Sequence, residues 1–285
     1  MTDIRNNGQH TPEAVAGQNG SPRIAAVLAE RAKAGRAALV PYVTAGFPQP
    51  DLSLDVLRAL VAGGADIIEL GVPFSDPAAD GPTIQRANDQ ALAAGMSLTK
   101  VLALVTEFRR ENTHTPIVLM GYCNPIEAMG LQRFADAAAQ AGVDGVLVVD
   151  CPPEEAQDYA AALRRHRIDL IYLLAPTSTP ARYRLVGEIA SGYVYYVSLK
   201  GVTGSAQLNT DEVAAKIAVL RRHISLPIGV GFGISDAESA RKIGAVADAV
   251  IVGSRIVKEI ENNAGSEAKA VGALVKSLKQ AVEAV

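Results

Sequence analysis

Eight short apolar runs recur along the chain: Ala38–Ala45, Asp66–Pro73, Pro116–Tyr122, Gly145–Asp150, Leu170–Pro176, Tyr193–Leu199, Pro227–Gly233 and Ala249–Gly253. They read as near-continuous blocks of valine, isoleucine and leucine rather than as alternations, the pattern of parallel strands covered on both faces. The stretches between them carry helical period and helix-start signals: Pro50-Asp51 before Leu52, Val56, Leu57 and Leu60; Pro152-Pro153-Glu154-Glu155 before Ala161 and Leu163; Thr179-Pro180 before Leu185, Val186 and Ile189. Most strand starts lie about 22–33 residues apart, one βα unit each, while the gap of about 50 between the second and third holds an extra element. Ser21-Pro22 ahead of Ile24, Val27 and Leu28 reads as an N-cap followed by proline in the first turn, predicting a helix before the first strand that closes the bottom of a barrel. Eight βα units in one run favour an α/β fold of the (β/α)8 TIM-barrel class. A doubly wound open sheet uses the same local pattern, and spacing alone leaves it open.

Composition narrows the picture. The 285 residues suit one large domain or two small ones, and 49% hydrophobic with 20% charged residues can build a substantial core. Residues 21–285 are expected to form a single barrel domain and the polar residues 1–20 a disordered leader. Lys+Arg 27 against Asp+Glu 30 leaves a net charge of −3, with no basic patch to attract nucleic acid. The longest uncharged stretch, Asn112 to Ile126, is too short for a membrane span, and the N-terminus lacks the apolar core of a secretory signal, so a cytoplasmic protein is expected. Cys123 and Cys151 are too few for a disulfide framework and are expected as buried thiols.

In a barrel the chemistry gathers where each strand ends. Glu69 lies inside Asp66-Ile67-Ile68-Glu69-Leu70-Gly71-Val72-Pro73, and a charge within an apolar strand must be paired, protonated or facing a cavity; a structural carboxylate is the alternative. Asp76 and Asp80 follow in a Pro/Gly-rich loop on the same rim, so two carboxylates can converge. Glu69 would be desolvated with a raised pKa while a loop aspartate stays ionised, a division suited to acid–base chemistry on carbon, though turn capping explains such aspartates equally well. Late in the chain, Gly201-Val202-Thr203-Gly204, Gly231-Phe232-Gly233 and Gly253-Ser254 follow three consecutive strands, the place where barrels hold phosphate on backbone amides, with Lys200 near enough to steer anions. His10, His114, His166 and His223 form no ligand cluster and fall in the leader or near helix-to-strand junctions, the wrong end of a barrel for catalysis, so no metal is expected. Neither GxGxxG after the first strand nor GxxxxGK[ST] is present.

From about Arg23 onward the chain resembles the tryptophan synthase α-subunit family. The resemblance rests on Pro41-Tyr42-Val43-Thr44-Ala45-Gly46, Glu69-Leu70-Gly71-Val72-Pro73-Phe74-Ser75-Asp76-Pro77, Ala79-Asp80-Gly81-Pro82, Gly201-Val202-Thr203-Gly204 and Gly231-Phe232-Gly233-Ile234-Ser235, in order and at barrel spacing. It implies a TIM barrel that cleaves indole-3-glycerol phosphate to indole and glyceraldehyde 3-phosphate. By the same resemblance Glu69 protonates indole C3 and Asp80 stabilises the cationic indole, with Tyr195 near Glu69. Gly204, Gly233, Gly253 and Ser254 then bind phosphate, Thr203 belongs to a closing sixth loop, and Tyr42, Ile84 and Phe232 enclose the indole. It further implies a β subunit in an α2β2 complex, docked at the surface around Asp76-Pro77, with pyridoxal phosphate in that partner and no cofactor in this chain. One departure stands out. The segment Gly204 to Asn209 lacks the basic residue common after this motif, which predicts weaker or differently wired loop closure.

Overall fold

The computed structural model describes residues 20–197, 210–231 and 233–285. The leader 1–19, Lys200, Thr203, Gly204 and Phe232 lie outside the described residues. The chain opens with α1 (Pro22–Lys33), then β1 (Ala38–Thr44), α2 (Ser53–Gly63), β2 (Ile68–Gly71), α3 (Pro82–Ala93), α4 (Leu98–Arg109) and β3 (Ile117–Gly121). Next come α5 (Cys123–Met129), α6 (Leu131–Ala141), β4 (Gly145–Val148), α7 (Gln157–Arg164), β5 (Asp169–Leu174), α8 (Pro180–Ile189) and β6 (Val194–Val197). It finishes with α9 (Thr210–Leu220), β7 (Ile228–Gly231), α10 (Ala237–Gly244), β8 (Ala249–Val252), α11 (Ser254–Asn262) and α12 (Glu267–Glu283).

All eight strands are parallel and pair in sequence order, and β8 returns to β1 through Ala38↔Ala249 and Pro41↔Val252, so the sheet closes. Closure removes the open-sheet alternative and leaves no unpaired edge. The extra element in the long second unit is a pair of helices, α3 and α4. Two of the expected helix starts are short 3-10 turns, Pro50–Leu52 and Pro153–Glu155, with the α-helices beginning just after them. Proline at the head of each turn sets φ but cannot donate, which suits a single tight turn before the helix proper.

Two apolar layers follow from the pleat. Side chains pointing outward from the strands meet the helices, while Ala38, Val40, Ile67, Val118, Leu147, Ile171, Tyr193, Ala249 and Ile251 fill the barrel interior. Ile24 and Leu28 of α1 join this inner cluster, plugging the amino end as the sequence predicts. The plug is held by polar bonds. Asp144 Oδ1 accepts from Ser21 Oγ at 2.8 Å and Arg23 Nη1 at 3.0 Å, its Oδ2 accepts from Arg109 Nη2 at 2.6 Å, and Asp169 Oδ2 accepts from the Ser21 amide at 3.1 Å. Among the described residues no single helix is long and apolar enough to cross a membrane. Cys151 is buried, but Cys123 is only half-buried; the expectation of two buried thiols is corrected, because Cys123 opens α5 at the barrel's carboxyl rim.

Candidate functional site

The carboxyl rim is shaped by what sits opposite each aromatic ring. On β1 and β2, Tyr42 pairs with Glu69, and Gly71 lies one pleat beyond it. A Cβ on Gly71 would stand 2.2 Å from Tyr42 Oη, so glycine there makes the room the phenol occupies. The same device recurs across the barrel, where a Cβ on Gly231 would stand 2.1 Å from Tyr195 Oη. Small residues on one strand thus let large ones on its neighbour fill the mouth.

Glu69 is 1% exposed and accepts a hydrogen bond from Tyr193 Oη at 2.6 Å. Burial raises its carboxyl to about 7, against the opposing pull of the Tyr193 hydrogen bond. At neutral pH this group therefore exists in both protonation states, the condition a proton shuttle needs.

Asp80 ends a tight turn in which its own amide donates to the Pro77 carbonyl at 3.0 Å. Tyr122, just past β3, stitches this loop to the barrel: its Oη accepts from the Ala79 amide and donates to Asp80 Oδ2, both at 3.1 Å. From α3, Asn88 Nδ2 reaches Asp80 Oδ2 at 3.5 Å and Gln85 Nε2 donates to the Asp80 carbonyl at 2.8 Å. Asp80 is half-buried, and burial pushes its pKa up while the Tyr122 and Asn88 hydrogen bonds push back. Asp76 is exposed and bonded to its neighbour Ser75 Oγ at 2.6 Å, ordinary turn chemistry, while Pro77 beside it is buried rather than at an exposed edge.

Glu69 and Asp80 face common neighbours. The phenols of Tyr42 and Tyr195 are both driven well upward, first by burial and then by the charges of these two carboxylates. Tyr195 therefore lies within range of the Glu69 charge, the neighbour that the resemblance implies for it. Ile84 joins the same wall, since a Cβ on Gly253 would lie 3.7 Å from Tyr42 Cβ and 3.8 Å from Ile84 Cδ1.

Gly253 also opens α11, whose first turn has no side-chain cap; Ser254 is its first residue. The Gly253 carbonyl accepts from Ile256 at 2.8 Å, turning the first amides of the helix toward the rim, where an anion can take them. By contrast α10, one strand earlier, is closed by its own Asp236, which accepts from the Ser239 amide at 2.8 Å. Gly233, at φ 78°, lies between β7 and α10, next to the β8–α11 junction in the barrel order. His114, His166 and His223 precede β3, β5 and β7, the amino end of the barrel.

Three residues of the site escaped sequence reasoning. Tyr193 stands two residues before Tyr195 and so shares its face of the strand, a period-two signal that was available. Tyr122 closes the third apolar run, where the rule that strand ends carry chemistry could have found it. Asn88 had no local signal, because only the fold brings α3 over Asp80.

Residues 28–285 match a family model described as tryptophan synthase alpha chain. The tryptophan synthase alpha chain of Cupriavidus pinatubonensis is 57% identical over 263 residues, covering 92% of this chain and 99% of that protein. That of Neisseria gonorrhoeae is 61% identical over 248 residues, 87% and 95% of the two chains. Among solved structures, tryptophan synthase subunit alpha from Legionella pneumophila superposes with a TM-score of 0.87 at 41% identity, covering 92% of this chain and 99% of that one. A tryptophan synthase structure from Mycobacterium tuberculosis in an open form gives 0.83 at 35% identity, with 92% and 98% covered.

Proposed function

The chain belongs to the tryptophan synthase alpha chain family, and from that premise we propose that Glu69 and Asp80 carry its chemistry at the carboxyl rim of the barrel. The family's reaction is the retro-aldol cleavage of indole-3-glycerol phosphate to indole and glyceraldehyde 3-phosphate, a carbon–carbon lyase step in tryptophan biosynthesis, and this chain is the lyase subunit. The observation that carries the residue assignment is the carboxyl of Glu69, buried at the strand end and held by Tyr193, with Tyr42 and Tyr195 feeling both its charge and that of Asp80.

The steps follow from charge. Glu69 donates its proton to indole C3, which breaks ring conjugation and leaves positive charge on the indole nitrogen. Asp80, ionised, accepts a hydrogen bond from that N–H and stabilises the cation in a site shielded from water. Glu69, now a carboxylate, takes the proton from the hydroxyl on the carbon attached to C3. The carbon–carbon bond then breaks, its electrons restore the indole ring, and the hydroxyl carbon leaves as an aldehyde. Tyr193 holds Glu69 by its remaining oxygen throughout.

We assign Tyr42 and Ile84 to the walls around the indole, with Tyr195 on the side near Glu69; the indole contact expected of Phe232 falls outside the described residues. The uncapped start of α11 at Gly253-Ser254, together with Gly233, is assigned the phosphate on backbone N–H groups, while the roles the resemblance implies for Gly204 and Thr203 fall outside the described residues. A β subunit is the partner the family implies. We assign to this chain an α2β2 assembly in which the rim around exposed Asp76 docks the partner and indole passes across directly. Pyridoxal phosphate is assigned to that partner and to no residue of this chain.

The test is indole release from indole-3-glycerol phosphate by the purified protein, with and without a β subunit. A slow basal rate that rises strongly with partner supports the assignment, because loop ordering completes the site. A fast rate indifferent to partner points to a stand-alone lyase. Absence of indole in both conditions from folded protein overturns it.

A further inference from the structure

We propose that Tyr122 and Asn88 are positioning residues that hold Asp80 as a carboxylate with one oxygen committed to the protein and the other turned to the substrate. The inference rests on the reading of Asp80 as the group that stabilises cationic indole, and it concerns how that group is kept ready. Among the described residues, both side-chain donors fall on the same atom: Tyr122 Oη at 3.1 Å and Asn88 Nδ2 at 3.5 Å from Oδ2. Oδ1 is left for the indole N–H.

Asn88 is costly where it stands. It lies on the inner face of α3 between buried Ala87 and Ala91, is 2% exposed, and its Oδ1 is buried with no partner among the described residues. An amide kept for stability alone would have both ends satisfied, and an apolar residue on this face would avoid the orphan acceptor. What asparagine adds is an N–H2 group aimed at Asp80. Tyr122 is fixed independently: it accepts from the Ala79 amide in the loop carrying Asp80, and its ring rests on Phe74 with centroids 5.1 Å apart. The loop and its carboxylate therefore move as one unit with the end of β3.

Electrostatics give the clamp its purpose. The titratable side chains that feel the Asp80 charge are Tyr42 from β1, Tyr195 from β6 and Tyr122 itself, while Asn88 and Gln85 from α3 are neutral. Among the described residues no cation faces it. Two neutral donors on Oδ2 are then what opposes the burial that favours the uncharged acid.

The experiment is the pH profile of kcat/KM for indole release by the complex with β subunit, for wild type, Tyr122→Phe, Asn88→Leu and the double variant. The acid limb reports Asp80 and the basic limb Glu69. Tyr122→Phe should move the acid limb up by about one pH unit and Asn88→Leu, whose bond is longer, by roughly half that, with the basic limb unmoved. KM for the substrate should change less than kcat. If Asn88→Leu fails to fold, Tyr122→Phe, which keeps the ring on Phe74, carries the test. A rate that falls equally at all pH values with the acid limb stationary means a structural role only and overturns the proposal. Asp80→Asn separates the two levels: wild-type turnover in that variant sinks the reading of Asp80, whereas a dead Asp80→Asn with stationary limbs in the other variants sinks the clamp alone.

Discussion

Glu69→Gln should make this enzyme almost inactive and, in alkaline solution, more stable. Glutamine keeps the size of the side chain and an oxygen to accept the Tyr193 hydrogen bond, now 2.6 Å long, so the local packing survives. It cannot give or take a proton, and loss of a positioned acid–base group costs about 10²–10⁴-fold in kcat. The stability effect has its own sign and window. Glu69 stands at about 7 in the fold against an ordinary 4.5, so the folded state binds the proton more tightly than the unfolded chain. Its contribution is fully present below about pH 4.5 and is lost as pH rises through 7, a loss of about 3 kcal/mol by linkage. Glutamine carries no such penalty. Urea unfolding at pH 5 and pH 8.5, alongside indole-release kinetics, measures both consequences. The gap between variant and wild type should widen by roughly 3 kcal/mol at the higher pH. Parallel stability at the two pH values, or turnover within tenfold of wild type, would refute the reasoning, because a buried shuttle near neutrality must show both effects.

Other consequences follow from single contacts. Ser254→Asp should raise KM for indole-3-glycerol phosphate and weaken inhibition by inorganic phosphate about tenfold or more, yet leave the melting temperature unchanged or higher, since an acid suits a helix start but repels an anion there. Gly231→Ala should cost about 1–3 kcal/mol in chemical denaturation and reduce turnover, because its new methyl would meet Tyr195 Oη at 2.1 Å; an unperturbed variant would contradict the packing of the rim. At the opposite end, burial holds Asp169 at about 6, so its stabilising contribution is present below its ordinary 3.8 and lost as pH rises through 6. Asp169→Asn should therefore be more stable than wild type in chemical denaturation at pH 8, by about 1–3 kcal/mol, and converge with it near pH 4.

Much of the architecture was legible because it is written in local terms. Eight apolar runs without alternation imply strands covered on both sides, and each became a strand within a few residues of its expected bounds. Ser21-Pro22 capped α1, its side chain accepting from Ile24 N as that pair predicts. Glu69 was conspicuous as a charge in an apolar strand, and the uncapped Gly253-Ser254 junction as glycine at a helix start. Period and capping are properties of neighbours in sequence, so one chain suffices to read them.

Closure of the barrel was not of that kind, since βα units of one length fit an open sheet equally; it depends on β8 meeting β1. Nor was the pairing of Glu69 with Tyr193, 124 residues away, or of Asp80 with Tyr122, 42 residues away. The partial burial of Asp80 followed from the same convergence, and it gave that carboxylate two side-chain donors from distant parts of the chain. Residue types and periods set the strands, the helices and which groups can carry a proton. The distances between those groups, and the burial that tunes their pKa values, arise when strands far apart in sequence share one rim, because desolvation and hydrogen bonding are sums over neighbours in space.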